Sequence, residues 1–432
     1  MRFVRAHAVC RPRVFVELLF HHLAIFTTMP RLRIAQVMEA TTGGTRRHLV
    51  DLVTHLDRGQ FDVSVVCSNL RDSAFDEDID RFREMGVPVH IIPMVREISM
   101  SKDLVSLQKL ANHFRNTEYD LIHAHSSKAG VLARWAARLV CGDDRPKVAY
   151  SPHVFPFLMR TSRLKRFVFR QAERLSALHT DHWIAVSQTD SRAALDAGIC
   201  KPEQVTLIHN GVDLTRFPES PSKSAARARL GVADDRFVVG CVGRLTKQKG
   251  QEYLLRALPE IAAQVMDVCV VLIGDGEDRP MLEKLARRLR VEEHVVFAGY
   301  QPQAEHLYPG MDIFLLASLW EGCPYTLLEA MYSRVPAIAT DIEGNREVVE
   351  DAKTGLLIPP ASPKALSQAV IGLHNSPEKR EALGATAQQC VREFYTVDRM
   401  VKETGRLYTR LCGEAVGSWV GLCESAEIVD RS

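Results

Sequence analysis

The stretch LWEGCPYTLLEAM, Leu319 to Met331, holds two glutamates, Glu321 and Glu329, with seven residues between them. Pro324 suits the first turn of a helix, because its missing N–H is unbonded there anyway. A helix running through Tyr325, Thr326, Leu327, Leu328, Glu329, Ala330 and Met331 offers free N–H groups at its start, a ready anion site. Glu321 then lies just outside that start, beside Gly322. Glu329 lies about one turn inside, roughly 6 Å further along the axis. One ligand can touch all three places: a polar group at Glu321, phosphates at the helix start and a hydroxyl-bearing group at Glu329. That is the outline of a nucleotide sugar. The plainer alternative is a solvated glutamate and a helix-surface glutamate with no shared task.

Two further stretches bear on the same chemistry. GRLTKQKG, 243–250, follows an apolar strand candidate and projects Arg244 and Lys249. Two fixed cations can hold a diphosphate without a metal; the alternative is a basic surface loop. TTGG, 41–44, follows the first strand candidate of the chain. Its paired glycines, Gly43 and Gly44, let backbone N–H groups come close to a phosphate.

The elements that must position these residues repeat along the chain. RIAQVM (33–38), FDVSVVC (61–67), VPVHII (87–92), DLIHAH (120–125), KVAYS (147–151), WIAVS (183–187) and VTLIH (205–209) read as strands, with helical stretches between most of them. A helix is expected from Thr45 to Leu56. Val- and Ile-rich strands separated by helices argue for a parallel sheet covered on both faces. NGVDLTRFPESPSKS, 210–224, reads as a break. The same grammar then restarts in FVVGCVG (237–243), VCVVLIG (268–274), VVFAG (295–299), DIFLLAS (312–318), PAIAT (336–340) and TGLLIP (354–359).

The reading is α/β, two doubly wound Rossmann-like domains facing each other across a cleft. Residues 31–217 form the N-terminal domain, 218–235 a linker and 236–395 the C-terminal domain. Residues 396–412 form a C-terminal helix packing back on the first domain, and 413–432 a tail. In such sheets, ligands bind beyond the carboxyl ends of the strands, and two domains bring those ends together.

Composition narrows the class. The 432 residues are 46% hydrophobic and 25% charged with a net charge of +2, so bulk charge points to no nucleic-acid partner. The ten cysteines are scattered with no CxxC pair, which reads as free thiols in a reducing compartment. Residues 1–30 carry basic residues and then an apolar run, Val14 to Phe26, broken by Glu17, His21 and His22. That run is too short and too polar to span a membrane, and no clean cleavage site follows. It reads as a disordered extension or a mis-assigned start, with Met29 as the natural beginning.

With these motifs in order, the chain from about Arg31 to Leu411 resembles the retaining GT-B glycosyltransferases of the family called glycosyl transferases group one. The residues that carry the resemblance are TTGG, SPH (151–153), HNGVD (209–213), GRLTKQKG, IGDGEDRPMLEKL (273–285), EGCPYTLLEA (321–330) and TGLLIPP (354–360). The resemblance implies hexosyl transfer from a nucleotide-diphosphate sugar to an acceptor hydroxyl, with no cofactor and no metal. It also implies that the N-terminal domain binds the acceptor and the C-terminal domain the nucleotide sugar. Glu321 meets the donor-sugar hydroxyls, and Glu329 meets the ribose. Thr326 and the helix start, with Gly322, Tyr325 and Leu327, meet the diphosphate together with Arg244 and Lys249. Gly43 and Gly44 close from the opposite domain. His153 lies beside the reacting sugar, with His125 as a further neighbour. His153, Glu321, Arg244 and Lys249 are the catalytic candidates. The acceptor is expected to be lipid-linked or a glycan, in bacterial capsule, exopolysaccharide or lipopolysaccharide synthesis. The site of action is expected to be cytoplasmic, with peripheral attachment to the inner face of the plasma membrane through the basic helix 160–179 as the membrane-bound form of that reading. Arg334 departs from the pattern, where relatives often carry a small residue. A nucleotide-sugar epimerase of the same fold and a non-catalytic nucleotide-sugar-binding subunit remain alternatives.

Three other features have competing readings. His123 and His125 alternate on a strand and so point the same way; with His153 and Asp181 they are a metal-site alternative, as in metal-dependent amide hydrolases. GDG, 274–276, lacks the third glycine of a dinucleotide fingerprint and reads as a tight turn. RTSRLKRFVFRQAERLSALH, 160–179, carries six basic residues and one acidic residue, Glu173. Its stripe of Leu164, Val168, Ala172 and Leu175 beside Arg163, Arg166, Arg170 and Arg174 fits either a core-packed helix or an anionic membrane surface.

Overall fold

The computed structural model describes residues 31–141, 145–158, 162–220 and 222–413. Readings that fall on residues 1–30 and on the tail beyond 413 lie outside these. Strands β1 (Leu32–Met38), β2 (Phe61–Cys67), β3 (Val89–Ile91), β4 (Leu121–His125), β5 (Lys147–Ser151), β6 (His182–Ala185) and β7 (Val205–Leu207) form the first sheet. Strands β8 (Phe237–Val242), β9 (Val268–Ile273), β10 (Val295–Gly299), β11 (Ile313–Leu316), β12 (Ala337–Thr340) and β13 (Leu356–Ile358) form the second. Their orders are β3-β2-β1-β4-β5-β6-β7 and β10-β9-β8-β11-β12-β13, and every strand pair is parallel.

The apolar runs form these sheets because both faces are covered. In β1, Ile34 and Met38 enter one core while Ala35 and Val37 enter the other. In β8, Val238 and Val242 divide in the same way from Val239 and Cys241. With period-2 alternation and two buried faces, each strand must be apolar throughout. The order reverses between β1 and β4 and again between β8 and β11. Those two switch points are where a doubly wound sheet opens a crevice.

Two segments join the halves. The helix Lys223–Leu230 falls inside the stretch read as a linker. It folds onto the second domain because Arg227, buried, ties to Asp312 at 2.7 Å and to the Gly310 carbonyl at 3.0 Å. The terminal helix Val397–Gly413 places Met400, Val401, Leu407 and Tyr408 in the core around Ile34, Leu49 and Phe61 of the first domain. Where it crosses the chain leaving β7, Val212 N–H donates to the Tyr395 carbonyl at 2.8 Å, and Val397 N–H donates to Val212 at 3.0 Å.

The helix Arg163–Ala177 turns its apolar stripe outward. Leu164, Phe167, Val168 and Leu175 are exposed, while Glu173 and Ser176 are buried. Glu173 is drawn inward by Arg134 at 2.8 Å and by the Tyr150 hydroxyl at 3.0 Å. The core-packed reading of this stripe therefore fails. Among the described residues, no helix is long and apolar enough to cross a membrane. Arg334 sits at φ +60°, the left-handed conformation that favours a glycine.

A Cβ added at Gly211 would sit 2.1 Å from the Thr396 carbonyl oxygen, whereas one at Gly372 would meet nothing within 4 Å. Gly211→Ala is expected to lose roughly 1–3 kcal/mol from overpacking at the crossing. Gly372→Ala, inside the exposed face of a helix, is expected to gain roughly 0.5–1 kcal/mol. Denaturant midpoints of the two variants check the pair; equal midpoints contradict the crossing.

Candidate active site

The loops after β8 and β11 are tied together. Leu319 N–H donates to the Gln248 carbonyl at 2.8 Å, and Gln248 Nε2 donates to the Trp320 carbonyl at 3.0 Å. This brings Lys249 Nζ to 2.6 Å from Glu321 Oε1, which also accepts from Ser318 Oγ at 2.7 Å. The pair is mostly out of solvent, with side-chain exposures of 17% and 9%, so both charges are held in place. Arg244 is exposed at the same edge. Burial, and then the like charges of Arg96 and Arg244, hold Arg71 below its ordinary pKa despite Glu39 at 3.2 Å. Arg244 and Arg71 thus put positive charge on opposite sides of the cleft.

Between those charges two helices begin. The helix Tyr325–Tyr332 starts after Pro324 with no side-chain cap, and the hydroxyl of Thr326 is buried without a partner. The helix Gly43–His55 starts after Thr42 with no side-chain cap and no acidic residue in its first turn. The hydroxyl of Thr41 is likewise buried and unpartnered. The helix takes in Gly43 and Gly44 rather than beginning at Thr45. The two starts touch: a Cβ at Gly44 would lie 3.4 Å from Tyr325 Cδ2. Each helix N-terminus carries about half a positive charge. Two uncapped positive ends in contact, each with an orphan hydroxyl, form a seat for an anion. Leu327 supports this seat from behind, since its side chain is in the core and its N–H donates to the Pro324 carbonyl.

Glu329 is met from both domains. Its Oε2 accepts from the Tyr308 hydroxyl at 2.7 Å, and its Oε1 lies 4.0 Å from Arg47 Nη1. Arg47 also binds Asp51 and Glu305, both at 2.9 Å, and Arg216 reaches Asp51 at 3.1 Å. Burial opposes the Arg47 charge, but Asp51, Glu329 and Glu305 outweigh it and hold the guanidinium above its ordinary pKa. Burial pushes the Glu329 and Asp51 carboxyls up against the pull of Arg47.

Four histidines line the floor on the first-domain side. His125 Nδ1 lies 3.1 Å from His153 Nε2, and His125 Nε2 lies 2.8 Å from Gln36 Oε1. His48 packs edge-on to His153, with ring centroids 4.7 Å apart. His123 is fully engaged, by the Tyr408 hydroxyl at 2.6 Å and Ser151 Oγ at 2.8 Å. Burial, then neighbouring imidazoles, hold His123, His125 and His153 well below their ordinary pKa. His153 and Val154 have φ of +56° and +151°, strained for residues with a Cβ. The turn they make faces the other domain, because a Cβ at Gly322 would lie 3.4 Å from Val154 Cγ2.

The model of the glycosyl transferases group 1 family matches residues 222–390, and that of glycosyltransferase family 4 matches residues 42–216. The chain is 30% identical over 337 residues to the UDP-Gal:alpha-D-GlcNAc-diphosphoundecaprenol alpha-1,3-galactosyltransferase of Escherichia coli, covering 77% of this chain and 85% of that one. It is 23% identical over 371 residues to the capsular polysaccharide biosynthesis glycosyltransferase CapM of Staphylococcus aureus, covering 84% and 94%. Anabaena HepE, solved with UDP-glucose, shares the fold with a TM-score of 0.74 at 24% identity, over 88% of this chain and 100% of that chain. The chain belongs to the group 1 family of GT-B glycosyltransferases.

In this glycosyltransferase the fold gathers Gly43, Gly44, Arg244, Lys249, Glu321, Gly322, Tyr325, Thr326 and Glu329 along one cleft, with His125 and His153 at its floor. The paired reading of His123 and His125 as metal ligands does not hold, because both His123 nitrogens are taken; Asp181 is paired with Arg145. Arg47, His48, Gln36, Asn210, Glu305 and Tyr308 were missed. Their partners lie far away in sequence, and only TTGG, three residues before Arg47, could have flagged that helix. A groove between β7 and the terminal helix, lined by His209, Tyr395, Arg399 and Arg406, gathers no comparable features.

Tyr308→Phe keeps the ring packed against Phe314 but removes the donor to buried Glu329. A hydrogen bond to a charged group contributes about 1.5–3 kcal/mol. The variant's unfolding free energy is expected to fall by that amount, read as a lower denaturant midpoint at unchanged slope; a wild-type midpoint contradicts the contact.

Proposed function

We propose that this glycosyltransferase transfers a sugar, with retention, from a nucleotide-diphosphate sugar to an acceptor hydroxyl, and needs no divalent metal. The observation that carries the proposal is the contact of two uncapped helix starts beside the Lys249–Glu321 pair. The diphosphate lies between the starts, the ribose hydroxyls meet Glu329 and the sugar lies toward Glu321 and His153. The acceptor hydroxyl attacks the anomeric carbon on the face the diphosphate leaves. The carbon–oxygen bond to the diphosphate breaks as the new glycosidic bond forms, and a leaving phosphate oxygen takes the acceptor's proton. Negative charge grows on the diphosphate, and Lys249, Arg244 and the two helix dipoles are placed to meet it. His153 is neutral at pH 7, so it hydrogen-bonds the sugar rather than pairing with charge.

The E. coli relative is named for a UDP-galactose donor and a diphosphoundecaprenol-linked acceptor, and HepE was solved with UDP-glucose. These support a uridine nucleotide donor, a lipid-linked acceptor and a place in cell-surface polysaccharide synthesis. The outward stripe of Leu164, Phe167, Val168, Leu175 and Leu178, flanked by exposed Arg163, Lys165, Arg166 and Arg170, supports work at a cytoplasmic membrane face. An epimerase of the same fold would consume donor with no acceptor present.

Lys249→Ala is expected to cut turnover by roughly a hundredfold, since one such preorganised donor is worth about 3 kcal/mol. Transfer by the wild type is expected to persist in chelator. Turnover within about threefold of wild type, or strict loss in chelator, overturns the charge-neutralising role. Cosedimentation is expected with anionic but not with neutral vesicles. Reversing Arg163, Arg166 and Arg170 to Glu should abolish it, at about 1 kcal/mol per cation; equal binding to neutral vesicles rejects the membrane reading.

A further inference from the structure

The floor of the cleft holds three imidazoles whose ring nitrogens converge. One candidate ligand atom from each of His48, His125 and His153 lies within 4.8 Å of the others. The surrounding amides fix the tautomers of two of them. Asn210 Nδ2 donates to the Cys323 carbonyl at 2.8 Å, so its Oδ1 is the acceptor facing His48 Nδ1 at 3.0 Å. His48 therefore carries its proton on Nδ1 and shows a bare lone pair at Nε2. Gln36 Nε2 donates to the Tyr408 hydroxyl at 3.0 Å, so its Oε1 faces His125 Nε2. His125 therefore carries its proton on Nε2 and shows a bare lone pair at Nδ1. His153 Nε2–H can satisfy that one, but His48 Nε2 is buried with no partner at all. An orphaned acceptor of this kind is costly unless something occupies it.

We propose that His48, His125 and His153 form a three-imidazole site for a late first-row transition ion such as Zn2+, seated on the cleft floor between the domains. Each part matches what such an ion needs. All three ligands are imidazoles, the side chain such an ion binds most often. Two of them already donate their second N–H to an amide oxygen, the outer-sphere arrangement that orients metal-bound histidines. His153 completes the set by moving its proton to Nδ1. At Zn–N distances of about 2.0–2.1 Å, tetrahedral ligand atoms stand roughly 3.4 Å apart. The His125–His153 pair is at 3.1 Å already, and the widest pair must close by roughly 1 to 1.5 Å. Half-buried His153 leaves a fourth position open toward the cleft. On the donor reading given above, an ion there stands beside the reacting sugar and inhibits transfer.

The test titrates Co2+ alone into chelator-stripped full-length protein. The expected result is one ion per chain with the intense visible absorption of a four-coordinate, nitrogen-bound ion, unaffected by excess Mg2+, which prefers six oxygens. His48→Ala should weaken binding by more than the roughly 10–100-fold that outer-sphere changes cost; if that variant does not fold, His153→Gln replaces it. Absence of the band, or a band that both variants leave unchanged, overturns the site. Zn2+ should inhibit wild-type transfer and spare a folded His48→Ala variant at the same concentration; equal inhibition overturns the regulatory role. The Co2+ readout involves no sugar donor. A silent titration with intact transfer therefore sinks only the metal site, and a positive titration with no transfer in chelator sinks only the donor reading.

Discussion

Arg47 is the charge on which the closed cleft depends. A guanidinium with 16% of its side chain exposed cannot stand alone. It is held by Asp51 from its own helix and by Glu305 and Glu329 from the other domain. Arg216 joins from the connecting chain. The network couples the two sheets because each half supplies charges that the other must neutralise. It also fixes the carboxylate that the donor reading assigns to the ribose. Glu329 is therefore a structural partner first, and on the donor reading a ribose that reaches it must share it with Arg47 and Tyr308.

The same closure brings two helix starts into contact, with the ring of Tyr325 against Gly44. Most helices of this fold have a capping side chain or an acidic first turn, such as Ser222, Ser362 or Ser187 with Asp190. The helices at Gly43 and Tyr325 have neither. Leaving both positive ends bare, with the hydroxyls of Thr41 and Thr326 buried and unpartnered, costs stability in the free protein. Backbone strain at His153 and Val154 sits on the same cleft. Such concentrations of unsatisfied groups and strain mark a place shaped for something other than the chain itself.

The thirteen strands were legible because parallel strands buried on both faces must be apolar along their whole length, and few other elements look like FVVGCV or VCVVLI. Lys249, Glu321 and Glu329 were legible because they flank short strand-to-helix connections, whose ends are fixed by the sheet. Arg47 was not, since its partner Glu305 lies 258 positions away and no local pattern encodes that meeting. His48 was hidden for the same reason. The stripe on the helix Arg163–Ala177 was visible as a period, but its direction was not. That direction is set by buried Arg134 and Tyr150, which draw Glu173 inward and leave the leucines in solvent.

The central claim is that a diphosphate is bound from both sides at once, by backbone amides of two facing helix starts and by fixed cations. The most direct measurement is an experimental structure of the protein with a nucleoside diphosphate in chelator. The account predicts diphosphate oxygens within hydrogen-bond reach of the Gly44 and Thr326 amides and of Lys249 or Arg244. A diphosphate seated on one domain alone, away from the Gly43–Gly44 turn, would contradict it.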